Sequence, residues 1–126
     1  MGYRSQVVLA IAKEIQPHFM AALSVCTDAT VLVFNDADRF DRDYYRDGTG
    51  HWLIHWDSIK WYDSYEEIGT IEKFVDAAND DCIELGEDEG DSSDYIKFVR
   101  VGEETGDIEH RGFGFDEIAA QTSISF

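Results

Sequence analysis

The sequence predicts an α+β domain: an antiparallel sheet with two helices on one face, in the ferredoxin-like order strand-helix-strand-strand-helix-strand, followed by C-terminal strands. Three observations predict it. The runs Val7–Ala12 and Ala29–Phe34 are apolar, rich in β-branched residues and far shorter than the roughly 20 residues of a membrane helix. The segment His51–Tyr62 alternates with the period of a strand. Two other segments repeat apolar residues at helical spacing. A chain of 126 residues, 44% hydrophobic and with Pro17 its sole proline, suits one domain with its own core.

Arg4–Ala12 reads as the first strand, its run Val7-Val8-Leu9-Ala10-Ile11 typical of burial on both faces. Pro17 suits the first turn of a helix over about residues 15–26, with Phe19, Ala22, Leu23 and Cys26 inward. Ala29–Asn35 reads as a second strand, with Val31 and Val33 opposite Leu32 and Phe34. Asp36–Gly50 is charged and ends in glycine, as in a loop or hairpin tip. His51–Tyr62 is the third strand, Trp52, Ile54, Trp56 and Tyr62 facing one way and Leu53, Ile59 and Trp61 the other. Ser64 and Glu67 form a capping box before a helix over about 65–78, with Ile68, Ile71, Val75 and Ala78 inward. Asn79–Asp94 is an acidic loop, Tyr95–Val101 the fourth strand and Gly102–Gly106 a turn. Asp107–Phe113 and Ile118–Phe126 supply the C-terminal strands. The helices claim one face of this sheet and leave the other free.

Charge is the strongest compositional feature. The chain has 27 acids and 10 bases, a net −17, all of it after Asn35. Between Lys73 and Lys97 there is no base, while Asp76, Asp80, Asp81, Glu84, Glu87, Asp88, Glu89, Asp91 and Asp94 are all acidic. Such a field disfavours direct binding to nucleic acid or an anionic membrane and favours basic proteins or cations. At one charge per about 1.7 Å of duplex, seventeen charges equal roughly 29 Å of DNA, close to the roughly 35 Å diameter of a domain this size. The same charge also serves solubility. Asp36, Asp38, Asp41 and Asp43 in the first acidic segment join Asp80, Asp81, Glu84, Glu87, Asp88, Glu89, Asp91 and Asp94 as candidate partner-binding residues. Trp52 and Trp56, on a strand with aromatic residues on both faces, are candidate apolar anchors for a partner or a second copy of the chain.

Other chemistry finds little foothold. The spacing of Asp41, Asp43 and Asp47-Gly48 departs from an EF-hand, with Tyr45 where the third ligand belongs. His51 and His55 lie four apart, but on a strand that is roughly 13 Å, too far for one ion. No phosphate loop, nucleophile elbow or zinc-protease motif occurs, so no catalytic residue, metal or cofactor is expected. Cys26 and Cys82 are expected as free, mostly buried thiols. Arg4 is followed by only a short apolar run closed by Lys13 and Glu14, unlike a secretory leader.

The opening Met1-Gly2-Tyr3-Arg4-Ser5, the strand Trp56-Asp57-Ser58-Ile59-Lys60-Trp61-Tyr62, the helix residues Ile68, Ile71, Glu72 and Phe74, and Phe98-Val99-Arg100-Val101-Gly102-Glu103 together resemble a family of small acidic proteins from tailed bacteriophages and prophages. No activity attaches to that family. The resemblance implies expression in the bacterial host cytoplasm and a host-directed role. Its charge would then suit a DNA mimic that blocks a nucleic-acid-binding host protein, such as a polymerase, a restriction nuclease or a CRISPR complex. Two other expectations stand beside it. One is a nucleotide or small-molecule pocket, or an enzyme, on the free sheet face, with Arg100 or Arg111 converging on the ligand. The other is a virion assembly component.

Overall fold

The centre of the molecule is the strand β1, Ser5–Ile11, and its position follows from its composition. A run with no polar residue from Val7 to Ile11 must be covered above, below and on both edges. In the computed structural model, which describes residues 2–120 and 123–126, Val7, Val8, Leu9, Ala10 and Ile11 are each fully buried. Each of the larger side chains contributes about 1.5–3 kcal/mol by leaving water. β3 (Trp52–Ile59) pairs antiparallel with one edge of β1, and β4 (Ile96–Gly102) with the other. The short β2 (Arg39–Asp41) lies outside β3, and β5 (Ile108–Arg111) outside β4. The order β2-β3-β1-β4-β5, antiparallel throughout, contains the split βαβ arrangement with one strand added.

The helical layer differs from the expectation in one element. α1 (Gln16–Leu23), after a 3₁₀ turn at Lys13–Ile15, and α3 (Glu66–Asn79) lie close to where their periodicity puts them. The segment expected as the second strand is instead α2, Thr27–Phe34. Burial decides the matter: Ala29 and Val33, four apart, are fully buried, while Val31 is exposed, although a strand would put Val31 and Val33 on one face. Asp28 in the first turn favours the helix through its dipole, and the Thr30 hydroxyl ties it back to the Leu23 carbonyl. The second strand of the sheet is therefore β2, inside the segment expected as a loop.

The capping box at Ser64 does not form. α3 is capped at Tyr65 without a side-chain bond, and Glu66 and Glu67 in its first turn favour the helix dipole instead. The alternation of β3 holds from Trp52 to Trp56 and then fails. A register shift opposite Ser5–Val7 turns the chain, so Ile59 and Trp61 pack on the helix side together with Trp56.

The opposite sheet face is not free. Val8, Ala10, Leu53, Val99 and Val101 meet Ile118 and Ile124, with Tyr44, Phe115 and Phe126 packed around them. The last strand expected over Ile118–Phe126 is two short strands, β6 (Ala119–Ala120) and β7 (Ile124–Ser125), paired with each other. Gln121 and Thr122, within that expected strand, and Met1 of the opening motif fall outside the described residues. A sheet whose central strand is apolar on both sides needs this second cover. Among the described residues, no helix is long and apolar enough to cross a membrane.

Candidate protein-binding surface

The strand register sorts the acidic segments by position. β1 ends at Ile11, which is paired with Trp52 at the start of β3 and Ile96 at the start of β4. Four segments therefore meet at this end of the sheet: Ala12–Gln16, the β2–β3 connection, the α3–β4 loop and the residues after β5. Backbone and side-chain bonds tie them together. Ala12 N–H donates to the Tyr95 carbonyl at 2.9 Å, Lys13 N–H to His51 Nδ1 at 2.9 Å and the Gln16 amide to the Gly50 carbonyl at 2.7 Å. With Asp41 included, these segments carry fourteen acids and three bases (Lys13, Arg42 and Arg46), eleven of the seventeen net negative charges.

Of the predicted partner-binding residues, Asp41, Asp43, Asp80, Asp81, Glu84, Glu87, Asp88, Glu89, Asp91 and Asp94 all belong to segments at this end. Asp36 and Asp38 do not. They precede β2, and Asp38 accepts the Asp57 N–H at 2.7 Å, farther along the edge toward the opposite end.

Several of the carboxylates build the loops they sit on. Asp43 accepts the N–H groups of Gly48 and Gly50, Asp47 the backbone N–H and the hydroxyl O–H of Thr49, and Asp81 the N–H of Ser93. Hydrogen bonds from Ser93 hold the Asp81 carboxyl below its ordinary range, and those from Thr49 do the same for Asp47. Glu89 accepts the Tyr95 hydroxyl at 2.9 Å. Among the described residues, none of the eight acids from Asp80 to Asp94 forms an ion pair. Their charge reaches solvent uncompensated.

The arginines are committed elsewhere. Arg100 reaches Asp107 at 2.7 Å, Glu109 at 2.6 Å and the Ser5 hydroxyl at 3.0 Å. Arg111 pairs with Glu72 and Asp76 of α3 and lies 4.4 Å from the centre of the Phe98 ring. Arg100 lines a cleft of about 500 Å³ with Tyr3, Trp61, Asp63, Glu72 and Glu109, where carboxylates outnumber cations. That surrounding disfavours an anionic ligand beside Arg100, Arg111 is paired with carboxylates, and the sheet face expected to hold a nucleotide pocket is covered. Among the described residues, no three His, Cys, Asp or Glu side chains converge as metal ligands. Cys26 is buried as expected, whereas Cys82, in the acidic loop, is exposed.

The tryptophan anchors require correction. Trp56 is 2% exposed, and its indole N–H is bound to the Leu32 carbonyl. Trp52 is half-buried, edge-on to Phe34 and Phe40, with the Arg42 guanidinium 5.9 Å from its ring. The exposed aromatic residues at the acidic end are Phe113 and Tyr45. Tyr45 stacks on Phe115 at 5.8 Å, and partial desolvation of its hydroxyl, followed by the neighbouring Glu117, raises its phenol above the ordinary tyrosine range although the ring stays exposed. The sequence predicts Phe113 at the end of a strand over Asp107–Phe113, but β5 ends at Arg111 and Phe113 lies in the turn beyond it; the Gly112-Phe113-Gly114 triplet is the signal that could have found it.

Comparison with protein-family models, with curated proteins and with solved structures finds no match to this chain.

Proposed function

We propose that this protein is an acidic binding module that docks the β1-terminal end of its sheet on a basic protein surface. The observation that supports this reading best is the convergence there of four separate segments carrying eleven net negative charges, with no ion pair among the described residues on the acids from Asp80 to Asp94. Acids that served solubility alone would have no reason to gather at one end.

At about 1.7 Å of duplex per charge, eleven charges stand in for roughly 19 Å of DNA, about half a helical turn. The surface would thus replace a short stretch of backbone rather than the full turn that the whole-chain charge suggested. The partner in this reading is a nucleic-acid-binding protein of a bacterial host, engaged in the host cytoplasm, as a phage origin would imply.

Such docking is steered by charge, weakens with salt and competes with nucleic acid for the partner. Capture from a bacterial lysate at low ionic strength, followed by elution with duplex DNA, tests it. Release of nucleic-acid-binding proteins by DNA is expected. Recovery of none, or recovery that DNA fails to displace, sinks the reading.

A further inference from the structure

We infer that Phe113 is the apolar anchor of this acidic surface, and that the partner surface it fits is basic with an apolar socket. The inference rests on the docking reading above and adds a residue and a shape to it.

Phe113 is 68% exposed, yet the turn that carries it is fully tied down. Gly112 N–H donates to the Asn79 side chain at 2.8 Å, Phe113 N–H to the Ser93 carbonyl at 2.7 Å and Gly114 N–H to the Ile96 carbonyl at 3.0 Å. The flanking glycines are required by space. A Cβ on Gly112, where φ is +85°, would lie 2.3 Å from the Ile96 carbonyl oxygen, and one on Gly114 2.6 Å from that of Asp94. The chain therefore presses this turn against the α3–β4 loop and presents one aromatic ring outward. Presenting a ring on a rigid turn spares the ordering cost of docking, and exposed aromatics of this kind dominate interface energies.

The charge around it specifies the partner. The backbone of Phe113 and Gly114 touches Ser93 and Asp94, in the base-free acidic loop. An exposed aromatic ring carried on a turn packed against this base-free acidic loop complements an apolar socket rimmed by lysine and arginine rather than one rimmed by acids.

Two synthetic peptides of equal length and equal positive charge test this, one an amphipathic Lys/Leu helix former, the other Lys/Ser without an apolar stripe. Binding is measured by titration calorimetry, with backbone amide shifts of residues 112–114 as a second readout. The intact protein is expected to prefer the Lys/Leu peptide about tenfold. Phe113→Ala removes that preference while binding Lys/Ser unchanged, and Phe113→Leu retains part of it. A variant with Glu87→Gln, Asp88→Asn and Glu89→Gln weakens binding of both peptides. Equal affinity of the intact protein for the two peptides, or a preference that survives Phe113→Ala, overturns the anchor and leaves charge docking standing. Binding of neither peptide at low salt overturns charge docking and the anchor with it.

Discussion

The indole N–H of Trp56 on β3 donates to the backbone carbonyl of Leu32 on α2 at 3.2 Å. This bond crosses from sheet to helix layer and satisfies a polar group on a ring that is otherwise sealed in the core. It fixes Trp56 as a structural residue. Trp56→Phe leaves a smaller ring and an unmet carbonyl, and is expected to cost about 1–3 kcal/mol. Trp56→Ala, which opens a cavity, is expected to cost about 3–5 kcal/mol. Urea unfolding measures both. A Trp56→Phe variant as stable as the parent would contradict the role.

The same pair shows what the sequence could and could not disclose. β3, α3 and β4 are legible because runs with period 2 or 3.6 admit one interpretation, and β1 because a wholly apolar run rich in β-branched residues suits a strand covered on both faces. Ala29–Phe34 is not, since its five apolar residues, broken only by Thr30, satisfy both periods, and the deciding fact is tertiary: Ala29 and Val33 are buried in the core while Val31 is exposed. Three residues, Arg39–Asp41, are too few for any pattern. The cover on the second sheet face was implied by the doubly apolar β1, but its source in Ile118 and Ile124 is a long-range pairing. The acidic character of the proposed surface was legible from charge alone. Its gathering at one end, and the exclusion of Asp36 and Asp38, needed the register.

Asp107 joins three parts of the chain, accepting bonds from Arg100 and from the Tyr3 hydroxyl at 2.6 Å. Arg100 first, then Tyr3, holds its carboxyl below the ordinary range. A carboxylate depressed in the fold binds protons more readily when unfolded. Its stabilisation is therefore present above the unfolded value of about 3.9 and is lost as pH falls through the lower folded value. Asp107→Asn is expected to lower the urea midpoint at neutral pH, with the gap to the parent closing in acid. A gap independent of pH would show that packing, not charge, explains the loss.

His55 is poised in the opposite sense. Its Nε2 lies 3.1 Å from the Gln6 side-chain nitrogen, while Gln6 Oε1 accepts the Ile124 N–H at 2.9 Å. With its oxygen so engaged, Gln6 donates to His55, which must be neutral at Nε2. Burial lowers the His55 pKa, outweighing Asp57 and Asp38, which raise it. The unfolded chain therefore protonates first, so stability is full above about pH 6.5 and declines below it toward the depressed folded value. The other titrating groups of the chain are common to parent and variant, so the comparison isolates His55. Between about pH 7.5 and 5.5, the parent is expected to lose more of its urea midpoint than His55→Gln does, and the Ile124 amide to exchange faster. Equal losses in the two proteins would refute the link.

Gly112 and Gly48 separate two costs that usually travel together. Both have positive φ, +85° and +83°, so an added Cβ is strained at either site. At Gly48 nothing lies within 4 Å of that Cβ, whereas at Gly112 it meets the Ile96 carbonyl oxygen at 2.3 Å. Backbone strain alone costs about 1–2 kcal/mol, the expected loss for Gly48→Ala. Gly112→Ala must add displacement of the turn from β4, breaking the Asn79 and Ile96 bonds at about 0.5–1.5 kcal/mol each. The expectation is a loss at Gly112 exceeding that at Gly48 by about 1 kcal/mol or more. Because the displaced turn carries Phe113, Gly112→Ala should also weaken the preference for an apolar basic peptide in the molecules that remain folded, while Gly48→Ala leaves it intact. Equal destabilisation of the two variants would mean that the turn yields freely, and a ring on a yielding turn would lose the rigidity that sets Phe113 apart from other exposed side chains.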